Sequence, residues 1–157
     1  MADTHAAIVR KALEQYCDRG VFGSFVEKPS KNGRTHFEFV WLHNRRYTLI
    51  FDGKNSVLTF KDCLPHISAK SEIYGGIKDF VRARSDSKLL AHRRIDPKRA
   101  VVSCANRGGK VSLAIDIKRN QYAYGTKKLI NLLHETFVMI DQCFTDYLYE
   151  HFDLPEE

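Results

Sequence analysis

Two seven-residue stretches, His36 to Leu42 and Arg46 to Asp52, constrain this chain more than any other feature. Each alternates strictly, with Phe37, Phe39 and Trp41 on one side of the first and Tyr47, Leu49 and Phe51 on one side of the second. A period of two places those aromatics on a single face of a strand. The three residues between, His43-Asn44-Arg45, are short enough for a hairpin. Asp52-Gly-Lys-Asn55 then turns the chain into Ser56 to Phe60, a third member of an antiparallel meander. Val40, Leu42, Ile50, Leu58 and Phe60 are read as opposing the aromatic set, so part of each sheet face is expected to be covered.

Helical patterns frame this meander. Ala6 to Asp18 carries Val9, Leu13, Tyr16 and Cys17 on one stripe and ends before Arg19-Gly20, a C-terminal signal. Val21 to Glu27 reads as a short additional strand, and Lys28 to Arg34 as a polar loop. Ser71 precedes a second amphipathic stretch, with Ile73, Ile77, Phe80 and Val81, ending near Arg84; the pair Gly75-Gly76 weakens it. Asp86 to Arg99 lacks a period and contains Asp96-Pro97, so it reads as an exposed connection with room for a strand at its beginning. Ala100 to Ala105 and Val111 to Lys118 form a second hairpin around Gly108-Gly109. From Ala123 to about Phe152 the pattern is one long helix, apolar over more than half its circumference, which calls for cover from the sheet and from either the first helix or another subunit.

The expected fold is therefore α+β: an antiparallel three- or four-strand meander plus a C-terminal hairpin, packed by an N-terminal, a middle and a long C-terminal helix. At 157 residues, 43% hydrophobic and 28% charged, the chain suits a single domain spanning 1–157 with its own core. It carries no stretch of signal-peptide or membrane-span character, and Cys17, Cys63, Cys104 and Cys143 stand far apart. Reduced thiols in a cytoplasmic protein are the expectation.

Charge is unevenly distributed. Between Arg82 and Arg119 lie eleven of the 25 Lys and Arg residues and only three acids, Asp86, Asp96 and Asp116; residues 120–157 hold two basic and seven acidic side chains. A concentrated positive field suits phosphates or acidic peptides. The candidate contact residues for a protein partner or polyanion are Arg82, Arg84, His92, Arg93, Arg94, Lys98, Arg99, Arg107 and Lys110.

Catalytic chemistry has no comparable signal. Asn106-Arg-Gly-Gly-Lys-Val-Ser112 fails a phosphate-loop pattern at Cys104 and Val111, and His134-Glu135 has Val138 where a second zinc-binding His belongs. Cys63-Leu-Pro-His66 lacks a second ligand pair, so no metal, cofactor or enzymatic activity is expected.

The order helix, three or four strands, helix, two-strand hairpin, long helix resembles that of type III secretion chaperones and of the YbjN-type proteins sharing their fold, over nearly the whole chain. The resemblance implies a non-catalytic protein that dimerises and offers its sheet or helices to a polypeptide. Those chaperones are commonly acidic, whereas this chain has a sequence pI near 9.2. Two functions follow: a cytoplasmic, chaperone-like or adaptor-like protein-binding module, self-associating or bound to another protein, and nucleic-acid binding through segment 82–119.

Overall fold

The structure, a computed structural model, describes residues 2–29 and 32–152. Six strands form one antiparallel sheet: β1 (Gly23–Pro29), β2 (Arg34–Trp41), β3 (Arg45–Asp52), β4 (Val57–Leu64), β5 (Ala100–Arg107) and β6 (Lys110–Ile117). Their spatial order is β1-β2-β3-β4-β6-β5, so the four-strand meander and the C-terminal hairpin join through β4 and β6. Around the sheet lie α1 (Ala2–Asp18), α2 (Glu72–Ala83), α3 (Tyr122–Cys143) and α4 (Thr145–His151). The α+β expectation holds, with four strands in the meander.

Register decides which face each residue joins. Leu49 stands opposite Phe60 and Phe51 opposite Leu58, while Leu58 meets Ile115 and Phe60 meets Leu113 on β6. Leu58 and Phe60 therefore lie with the aromatic set, fully buried, and the expectation that they oppose it is incorrect. Four residues, 53–56, separate β3 from β4, and alternation within each strand does not fix its phase across such a turn. Leu42 belongs to a single 3-10 turn, Leu42–Asn44, and packs on the core; Val40 and Ile50 alone of the five face the other way. Helices cover one side of the sheet, and the second side is left open.

Two glycines set the spacing of the helical layer. A Cβ on Gly125 would stand 2.7 Å from Cγ1 of Ile117, so α3 approaches β6 only because that position is bare. On α2, a Cβ at Gly76 would stand 3.1 Å from the Phe144 ring. The double glycine that weakens α2 locally thus admits an aromatic from the end of α3. Ser71 caps α2, accepting from the Tyr74 amide at 3.2 Å.

The expected single C-terminal helix is two. At Phe144 the backbone leaves helical geometry (φ −140, ψ 52), and α4 turns so that Tyr147, Leu148 and Phe152 are buried, with the Tyr147 hydroxyl donating to the Pro65 carbonyl at 2.6 Å. A straight helix over the same residues would run about 45 Å, past a sheet about 24 Å wide. The apolar width of α3 is matched inside the chain by α1 on one flank and α2 on the other, with Leu132 buried and Cys143 exposed. No second copy is needed to cover it. Residues 86–99 form successive turns without a strand. β1 and β2 extend into the expected loop at Lys28–Pro29 and Arg34, while residues 30–31 of that loop lie outside the described residues.

Candidate binding surface

On the open side of the sheet, cross-strand pairing aligns His36, Ile50, Thr59, Ala114 and Ser103 in one row and Arg34, Asp52, Val57, Asp116 and Val101 in the next. Small and short side chains make the floor of a shallow trough of ≈ 500 Å³, notably Thr59, Ala105, Ser112 and Ala114, with Arg34, Lys61 and Arg107 at its margins. Every Phe, Tyr and Trp of the described strands is on the opposite, covered side; His36 supplies the open face's single ring. The surface therefore gives a ligand close access to the sheet but no aromatic platform for stacked bases.

The acids on this face have partners. Glu38 receives Lys28 at 3.1 Å and Arg46 at 3.2 Å, and these hydrogen bonds hold its carboxyl below the usual value. Asp52 is partly desolvated, which opposes ionisation, yet hydrogen bonds from Asn55 and the Lys54 amide, with Arg34 at 3.8 Å, bring its carboxyl below normal. Asp116 takes Lys118 at 3.1 Å. In contrast, Lys61, Arg107 and Lys110 have no ion pair or side-chain hydrogen bond among the described residues, and Asp62, exposed at the β4 irregularity, adjoins Lys61 alone in sequence.

The two edges of the sheet differ. β1 is irregular between Gly23 and Val26, carries Ser24 at φ 50, ends in Pro29, and is strapped to α1 by a bidentate Arg10–Glu27 pair. Bulges and proline are devices that block further strand pairing. β5 has none of them. It pairs with β6 without interruption from Ala100–Ile117 to Arg107–Lys110, and its seven residues before Arg107 carry no charge.

The nine basic-segment candidates do not form one patch. Arg107 and Lys110 flank the β5–β6 tip, while Arg99 and its neighbours lie at the other end of β5, about 23 Å away. α2 starts beside the tip, where the Ile67 amide donates to Gly109, and finishes beside the base, where Ile95 donates to the Arg84 carbonyl. Arg82 and Arg84 therefore join the base group. Several of these cations serve the fold. Arg84 donates to Glu135 at 3.0 Å and lies 3.9 Å from the Phe80 ring centre. Arg99 donates twice to Gln121 and stacks 3.6 Å over Tyr124. Arg94 donates to the Ser87 carbonyl, Arg82 stands 3.8 Å from Asp79, and the His92 carbonyl takes Lys128. The side chains of His92, Arg93 and Lys98 are exposed and without a hydrogen-bond partner among the described residues. Sequence counting finds charge but not commitment, because Glu135, which holds Arg84, and Tyr124, on which Arg99 stacks, come from α3, further along the chain. It also misses Lys61 and the small-residue floor, although the alternation of Ser112 and Ala114 with Val111, Leu113 and Ile115 already separates a packed from an open face.

Cys63 is buried, its Sγ 3.5 Å from the Val111 carbonyl, and burial pushes its thiol up to about 12. It is held as a neutral thiol, not a thiolate nucleophile. His66 turns away to stack on His151 at 4.7 Å. Among the described residues no three metal-ligating side chains gather, and no helix is long and apolar enough to cross a membrane. Gly108 and Gly109, at φ 57 and 87, form the hairpin tip, braced by Asn106, which donates to Ile67 and accepts from Gly109.

Compared with known protein families, curated proteins and solved structures, the chain gives no significant match.

Proposed function

We propose that this protein is a non-catalytic, cytoplasmic polypeptide-binding module of chaperone-like or adaptor-like character, and that it binds on the open side of its sheet. The observation that carries this reading is the one-sided layering: four helices fill one face, while the other presents a trough of small residues beside an unguarded edge strand. A floor of Thr, Ser and Ala lets an extended chain approach closely, and its neighbouring cations supply orientation. The four cysteines are free thiols, in keeping with a reducing compartment. The aromatic meander contributes the core rather than the binding surface, and a second copy seated on the same face is the competing occupant.

Nucleic-acid binding draws less support. The cations of segment 82–119 divide between two ends of a strand, several are bound internally, and the open face lacks stacking rings.

An array of immobilised 15-residue peptides tests the proposal at ~0.15 M salt, near physiological ionic strength. The wild-type protein is expected to bind a subset of peptides, and Thr59→Gln with Ala114→Gln, which fill the floor without touching the core, to reduce that binding about tenfold. Peptide binding indifferent to these changes, or binding of homopolymeric RNA or DNA with a steep salt slope and of no peptide, would overturn it.

A further inference from the structure

We propose that the outer edge of β5 is a docking strand for an extended, acidic segment of another polypeptide, which adds to the sheet as a seventh strand. This inference rests on the polypeptide-binding reading and names the partner's chemistry and its point of attachment.

The backbone supplies the first argument. In the sheet order β5 is terminal, and among the described residues its backbone contacts beyond β6 are confined to its start, where the Ala100 amide donates to Asp96 at 3.0 Å. From Val101 to Arg107 the outward-directed N–H and C=O groups have no partner among the described residues. A regular edge of this length, lacking proline, bulge or internal charge, is a template for another strand. The contrast with β1, which carries an irregularity, a proline and a side-chain strap, makes the openness of β5 specific to that edge.

Side chains set the faces of an added strand. Val102 and Cys104 pack toward α2, whereas Val101, Ser103 and Ala105 are exposed on the open side. An incoming segment would continue this alternation, with one set of side chains beside α2 and the other over the trough.

Charge selects the occupant. Among the described residues, Arg107 and Lys110 have no ion-pair partner at one end of β5 and Arg93 and Lys98 none near the other, where the Asp96 carboxylate already accepts the Lys98 amide. Antiparallel pairing of β5 with β5 of a second copy would place each Arg107 next to the other copy's Ala100 and its Lys98-Arg99 neighbours. Like charges would meet at both ends. An extended segment with acids spaced by the length of β5 meets a cation at each end instead.

The test uses fluorescein-labelled peptides of alternating valine and threonine, ended by glutamates or by lysines, with anisotropy and residue-level amide exchange as readouts. The glutamate-ended peptide is expected to bind and to slow exchange within residues 101–107. Methylating its backbone nitrogens on the edge that meets β5 should abolish binding, and methylating the other edge should not. Arg107→Glu with Lys110→Glu, both exposed and outside the core, should weaken it by about tenfold, the combined size of two exposed ion pairs turned to repulsions. Equal binding of the two peptides, unchanged exchange at 101–107, or a peptide-free dimer protected at those residues would overturn the inference, the last by putting a second copy there. If the peptide array still responds to the trough substitutions, such a result removes the edge alone; if it does not, the polypeptide-binding reading falls too.

Discussion

Gly125 and Gly75 occupy helices, yet their surroundings predict opposite responses to one methyl group. At Gly125 the added Cβ meets Ile117 at 2.7 Å inside the α3–β6 contact; at Gly75 nothing lies within 4 Å. Gly125→Ala should destabilise the protein by about 1–3 kcal/mol through overpacking, despite alanine's helix preference. Gly75→Ala should stabilise it by about 0.5–1 kcal/mol. Urea denaturation of the two variants checks both signs. Arg84 offers a second residue-scale test. Its side chain is only 12% exposed, bonded to Glu135 and packed on Phe80. Arg84→Ala should therefore cost about 1–3 kcal/mol of stability, and a double-mutant cycle with Glu135→Gln should show coupling. A variant of unchanged stability would return Arg84 to the exposed cations. None of these distinctions is legible in the sequence, where Gly75-Gly76 and the arginines look alike. They depend on tertiary packing, Ile117 of β6 beneath Gly125 and Glu135 of α3 beside Arg84, which local pattern does not show.

At the scale of elements, period-two alternation, the Ser71 cap and the Gly-Gly tip were enough to locate most strands and α2. Local pattern failed where a distant contact decides the geometry. The turn after Asp52 hides the register that sets Leu58 and Phe60 on the aromatic face, and Leu148 continues the stripe of α3 past the break at Phe144. The attachment of α4 also predicts a pH response. The His43 ring packs against Phe137 of α3 and Phe152 beyond α4, at 5.1 and 5.5 Å. Partial burial, then the Arg45 guanidinium, lower its pKa from the ordinary 6.5, with Asp141 pulling the other way. Because the unfolded chain binds the proton more readily, stability should fall as pH drops below about 6.5 and level off below the folded-state pKa. Thermal melts between pH 8 and 5 should show this loss in the wild type and a shallower one in His43→Asn, a residue that tolerates the positive φ of 57 at that position. Identical pH slopes would remove His43 from the attachment of α4.

Over the whole molecule, the formal charge of +6 is organised rather than uniform. Part of the basic segment stabilises the helical side through Glu135, Gln121 and Tyr124, and the uncommitted cations mark the two ends of the hairpin. Composition alone marks residues 82–119 as the basic part of the chain. It could not show that a strand divides them, or that the available surface faces away from the helices. The central claim, that polypeptides bind the open side of the sheet, predicts a directional pattern of contact. The most direct measurement is photo-crosslinking in cells from benzoylphenylalanine placed singly at Ser103 or Ala105 on the open side, and at Lys11 or Asn131 on the helical side. Polypeptide adducts from the first pair and none from the second are predicted; adducts only from the helical side, or only to nucleic acid, would contradict it.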